Sequence, residues 1–422
     1  MFTRRAFLKA GGLALFSASL GGTPLFLSRA AKAAVTSTEY RRRKTLVTIF
    51  QRGAMDGLMA VPPLNDPLLK RLRPNLAMTA ARTAGETAVL DLNGQFGLHP
   101  AFSPLLPYFQ ENRLAIVHGV GSPDTTRSHF DAQDYMENGT PGRKGTPSGW
   151  LNRAIGLLGH EATPFQAVSM TAALPKALYG KKPAIAVTDF NDFRVTVPGA
   201  FSTAKSAGQS FEALYRQTTR EMLQNSGNNS FDAIEILSQI EIENYRSANG
   251  ADYPNSPLGK SLKQIALLIK AAVGLEVAFA ETGGWDTHVQ QGTTRGSFAR
   301  RADDLARSIN AFWRDLGSYQ DNVMLMTMTE FGRTVRENGS GGTDHGRASC
   351  MFMLGNEIDG GKIHGSIPER LESDALEDAR DLPVTTDFRA VFAEVAGQHL
   401  SITQDAVLFP GWQGGRMSLV RS

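Results

Sequence analysis

"NVMLMTMTEFG", residues 322–332, decides how this chain is read. Its run from Val323 to Met328 is apolar almost without interruption, too short for a buried helix, and followed at once by Glu330 and Gly332. That pattern reads as a strand covered on both faces, ending on an acid whose position is well specified.

Working outward, "TLVTIFQRG" (45–53) and "LAIVHGVG" (114–121) have the same character, each closed by glycine. The helix-like "HPAFSPLLPYFQEN" (99–112) lies between them. "VAFAETGGWDTH" (277–288) reads as a strand and then a glycine turn, and "ASCMFMLG" (348–355) as a further strand. Helical periodicity appears at 231–247 and again from Ser256, where Leu262, Ile265, Ile269, Ala272 and Val273 share a face. It returns at 297–316, with Ser297 as a candidate cap, and in the closing "TDFRAVFAEVAGQHL", with Asp387 near its start. Strand and helix alternate, so the expected class is α/β with a mostly parallel sheet. Residues 140–230, rich in Gly, Pro, Ser and Thr, read as an elaborated insertion outside the core.

The first 33 residues have the layout of an export signal: "TRRAFLK" (3–9), an apolar stretch to Leu27, and "AKA" before Ala34. The paired arginines make it a twin-arginine address, and Gly11, Gly12, Gly21, Gly22 and Pro24 break the apolar stretch too often for a stable membrane span. The expectation is an exported, periplasmic or secreted protein of residues 34–422 that meets the twin-arginine translocase on the way. Removing 1–33 takes five basic residues and no acid, so the formal charge moves from +3 to −2. No strongly basic surface remains to favour nucleic acid. With Cys350 the single cysteine, no internal disulfide supports the fold.

The unusual polar residues share one address, just past the carboxyl ends of the expected strands, where open parallel sheets bind ligands. Asp56 follows the first, Ser128 and His129 the second, Asp286 and His288 the third, and Glu330 the fourth, with Asp344 and His345 on the glycine-rich loop beyond. Asp286 and His288, two apart on extended chain, point to one side and suit a shared cation. For Asp286 and His288 a surface turn, for Asp56 a turn aspartate, for Glu330 a helix cap and for Asp344 and His345 a surface loop are the structural alternatives. Carboxylates and histidines in this number suit one or two divalent ions: zinc, manganese, calcium or magnesium. A helix starting near Ser128 would offer free N–H groups, making Ser128 or Thr126 a candidate nucleophile and Arg127 an anion clamp, with a capping serine as the alternative.

The segments "IFQRGAMDGL", "GLHPAF", "VHGVGSPDTTRSHFDAQDYMENG", "GGWDTH", "TEFGRTVRENGSGGTDHG", "TTDFRAVFAEV" and "FPGW" resemble the domain of unknown function 1501 family of twin-arginine-exported proteins, over nearly the whole mature chain. That family in turn resembles the alkaline phosphatase and sulfatase superfamily. The resemblance implies a three-layer sandwich, a mostly parallel sheet with helices on both faces. It also implies a metal-dependent hydrolase of phosphate or sulfate esters, acting on a small or polymer-borne anionic ester. By motif order, Asp56 matches the first metal acid, Ser128 or a neighbouring threonine the nucleophile, Asp286 and His288 a metal pair, Glu330 a strand-end acid and His345 the late histidine. Phe331 stands where the partner histidine of Glu330 is expected, and Asp344 or His129 is the substitute. Cys350 is followed by Met351 and Phe352 and no Cys-x-Pro-x-Arg-like stretch lies near Ser128, which sets aside a formylglycine sulfatase, and "TRSHF" is not a G-x-S-x-G elbow, which makes a serine-triad esterase the poorer reading. The competing class is an envelope binding protein that keeps the fold and part of the site.

Overall fold

The computed structural model describes residues 13–16, 40–78, 89–159, 163–190 and 244–421. The central sheet is built from β1 (Thr45–Gln51), β2 (Leu114–Gly121), β3 (Ala167–Ser169), β4 (Ala184–Val187), β5 (Val277–Thr282), β6 (Val323–Met328), β7 (Ser349–Leu354) and β8 (Ile363–Gly365). Across the sheet the order is β4-β3-β5-β1-β6-β7-β2-β8, with β9 (Thr386–Asp387) also paired to β2. Every pairing in this set is parallel except the two made by β7, with β6 and with β2. The carboxyl ends of β1, β2, β5 and β6 therefore lie on one rim.

Side-chain alternation along the strands divides the core into two layers. Val47 and Ile49 of β1, Ala278 of β5 and Leu325 of β6 face α3 (Pro257–Lys270) and α4 (Ser297–Leu316), meeting Leu262, Ile265, Ala302 and Phe312. Leu46 and Phe50, Phe279, Met324 and Met326 face the other way, onto α1 (His129–Asn138), α2 (Trp150–Leu157) and α5 (Phe388–Gln398), where Trp150 stacks on Phe392 at 4.6 Å. Helices thus cover both faces, which is why the strands read as continuous apolar runs.

Several expectations change here. Parts of 140–159 and 163–190 belong to the core: α2, β3 and β4 come from these stretches, and Ala167, Val168, Ile185 and Ala186 are buried. Their brevity hid them, since three or four residues between glycines and prolines carry little periodic signal. The rest of the expected insertion, 191–230, and most of the helix expected at 231–247 lie outside the described residues. Of the expected signal segment only Leu13–Phe16 is described, as a strand antiparallel to β4 at the sheet edge. Ser297 is the first residue of α4 while Gly296 holds the cap position; its hydroxyl donates to the carbonyl of Gln291 at 3.2 Å. Ser256 caps α3 and Asp387 caps α5. Among the described residues no helix is long and apolar enough to cross a membrane.

Candidate metal centre

Three segments on the carboxyl rim bring four side chains to one point. His129 opens α1, Asp286 and His288 follow β5, and His345 lies on the loop that returns from β6 to β7. His345 Nε2 is 2.9 Å from His129 Nε2, 2.9 Å from His288 Nε2 and 3.1 Å from Asp286 Oδ1. Asp286 is also 3.1 Å from His288 Nε2 through Oδ1 and 3.5 Å from His129 Nε2 through Oδ2. His129, Asp286 and His345 offer ligand atoms that all lie within 4.8 Å of one another, the spacing of a metal-ligand set.

The outer side of each imidazole settles its tautomer. His129 Nδ1 lies 2.8 Å from Glu330 Oε1, His288 Nδ1 2.8 Å from Asp344 Oδ1, and His345 Nδ1 2.9 Å from the carbonyl of Arg127. Ionised carboxylates and carbonyls only accept, so each Nδ1 carries the hydrogen and donates it. Each Nε2 of a neutral ring is then left with its lone pair, and the three point at one another. Three converging lone pairs beside a carboxylate repel unless a cation or a proton sits among them. The outer acceptors orient the rings and raise their basicity, as partners of metal-bound histidines do.

Electrostatics follow the same logic. The Glu330 bond holds the His129 imidazolium above its ordinary range, against the opposing effect of burial. Burial, then the neighbouring His129 and Arg333, push His345 down. Burial alone would raise Asp286, yet the bond from Arg333 Nη1 at 2.6 Å outweighs it and the carboxyl is held low. Glu330 is fully buried, and bonds from His129, Gln133 and the Gly53 N–H overcome the burial that would otherwise raise it. Asp344 is lowered by His288 and by Asn338.

Backbone close approaches make this geometry possible. Gly53 has φ +115°, and a Cβ there would lie 2.5 Å from the amide nitrogen of Asp286, so only glycine lets the β1 loop pass under the β5 loop. A Cβ at Gly342 would lie 2.4 Å from the His288 carbonyl; without one, the loop carrying His345 packs directly on residues 287 and 288.

The expected site residues separate into three groups. Asp286, His288 and His345 stand at the centre. Glu330 and Asp344 are one bond further out, each orienting a histidine, and Glu330 caps no helix because none follows it. Asp56 is elsewhere: it caps the short helix Gly57–Ala60, takes both Arg73 nitrogens at 2.7 and 3.1 Å and accepts from Gln291 at 2.7 Å. With both oxygens engaged by buried donors, Asp56 belongs to a structural ion pair. His129 supplies the ligand atom that the strand-end motif lacks, and Phe331 packs beneath, its ring 4.9 Å from His129 and 5.1 Å from His345. One ligand group of this kind is found among the described residues.

At the second strand end, Thr126 Oγ1 accepts from the Ser128 amide at 3.2 Å and is a turn residue. Arg127 is no free clamp: its guanidinium bonds Asp381 at 2.6 Å and Asp378 at 3.0 Å. Ser128 occupies the N-cap of α1, but its hydroxyl makes no cap bond, and the residue is exposed beside His129.

The fold and this cluster define a class: an α/β protein with a cluster of histidines and a carboxylate, spaced as metal ligands are, at the carboxyl rim of a largely parallel sheet. The family model described as "Protein of unknown function (DUF1501)" matches residues 99–409, and the chain belongs to that family. No curated protein matches the chain.

Proposed function

We propose that this chain is an exported metal-dependent hydrolase of phosphate or sulfate esters, working at one divalent ion held by His129, His288, His345 and Asp286. The observation that carries the reading is the convergence of three Nε2 lone pairs, each ring fixed by an acceptor at Nδ1. Ligand atoms about 2.0–2.1 Å from a tetrahedral ion lie roughly 3.3 Å apart, close to the separations of 2.9 to 3.5 Å found here. Imidazole donors favour zinc over calcium or magnesium, which take oxygen. A bound ion supplies Lewis acidity, polarising an ester oxygen and lowering the pKa of a nearby hydroxyl.

The chain's own groups supply the rest. Asp286, shared with Arg333, has an exposed side that leaves the centre open to solvent, as a catalytic site requires. Ser128, at the N-terminus of α1 with an unbonded hydroxyl, is the proposed nucleophile, and the N–H groups of that first turn would receive an anion. The sheet with helices on both faces and the rim position of the site support the likeness to alkaline phosphatases, and the twin-arginine address would carry the folded chain out.

One observation favours a second reading, an envelope binding protein that holds an anion without turning it over. Two arginines beside the centre, Arg127 and Arg333, are both committed to carboxylates. Metal analysis of the folded chain, with aryl phosphates and aryl sulfates as probes, decides. About one zinc per chain with turnover lost in Ser128→Ala supports the hydrolase; one zinc without turnover supports binding. No divalent ion removes both.

A further inference from the structure

We propose that Phe130 and Val289 form an apolar wall beside the metal centre, selecting esters whose group next to the anion is aryl or alkyl. The proposal rests on the hydrolase reading. Among the described residues the exposed large hydrophobics are Phe130 at 85 %, Val289 at 61 %, Tyr179 and Val407. The two most exposed directly follow His129 and His288, the rings on either side of His345. Consecutive Cα atoms are about 3.8 Å apart, so both side chains start within one small molecule's length of the converging Nε2 atoms.

The fold gives no reason for either. Neither contributes to the core clusters, and α1 buries Ala132, Tyr135 and Met136 instead. Both are nonetheless held on fixed backbone. Phe130 sits in the first turn of α1, and Val289 lies between the His288 carbonyl, which accepts from Asn338, and the Gln290 amide, which donates to Ser340. An ester whose anionic end reached the centre would run out past them. Removing an aryl or alkyl group from water against two apolar side chains favours such a ligand over a polar one.

The test uses the full chain loaded with zinc, titrated calorimetrically with phenylphosphonate and with methylphosphonate, which report binding without turnover. Wild type should bind the phenyl compound roughly tenfold more tightly. The Phe130→Ser, Val289→Ser double variant should keep its zinc and its methylphosphonate affinity while losing that preference. Equal affinity of wild type for the two compounds would overturn the wall and leave the hydrolase reading intact. Binding of neither would overturn both. A variant that changes the molar mass in light scattering, with the preference unaltered, would make the pair a contact between copies of the chain and overturn the proposal.

Discussion

His129 Nδ1 lies 2.8 Å from the buried carboxylate of Glu330, and this bond determines which ring nitrogen is left to face His345 and Asp286. The strand that ends at Met328 delivers the acid, and α1 delivers the imidazole. Replacing Glu330 by Gln keeps the shape and removes the charge that supports the ring. Zinc affinity, measured by competition with a chromophoric chelator, should fall ten- to a hundredfold. Unchanged affinity would mean that Glu330 does not act through His129.

Asp56 makes the opposite case. Its side chain and that of Arg73 are both buried, and breaking such a pair leaves one charge uncompensated. Asp56→Asn should cost about 3–5 kcal/mol in urea unfolding, while the folded fraction still binds one zinc. Loss of zinc with stability unaltered would return Asp56 to the metal site.

Phe331 fills an apolar slot with Ala54 and Ala132 under the histidines. Phe331→His, which restores the expected strand-end histidine, should add no second ion. It should instead destabilise by roughly 1–3 kcal/mol, the cost of a buried polar group without a partner. Metal counting and thermal unfolding on the same sample check both parts.

His118 supplies a pH dependence away from the metal. It is fully buried, its Nδ1 accepts from Gly119 and its Nε2 faces the Val61 carbonyl; burial pushes its pKa down to about 4. The unfolded chain takes up this proton near the ordinary value of about 6.5, before the folded chain does. Stability is therefore present above that value and is lost as pH falls from there to about 4. The loss should be roughly 3 kcal/mol, and His118→Gln, which cannot titrate, should lack it in urea midpoints compared at pH 7 and pH 4.5.

Much of the architecture was legible in the chain. "VMLMTM", "TLVTIFQ", "LAIVHGVG" and "VAFAET" are apolar on both faces because helices cover both faces, and that burial writes itself into sequence as uninterrupted apolar runs. The short β3 and β4 carry no such mark, and their place in the sheet depends on neighbours far away in sequence. The rim position of the polar residues was legible too, since a parallel sheet puts its loops at its carboxyl end.

Sequence alone therefore determined the α/β class, the strand ends that bear chemistry and the presence there of Asp286, His288 and His345. Which atoms meet was decided only by the tertiary structure. Motif order placed Asp56 and Glu330 on an ion. Folding instead gave Asp56 to Arg73 and set Glu330 behind His129. Roles of this kind turn on separations of a few ångströms between residues far apart in the chain, such as His129 and Glu330, 201 positions apart, and local periodicity carries no information about them.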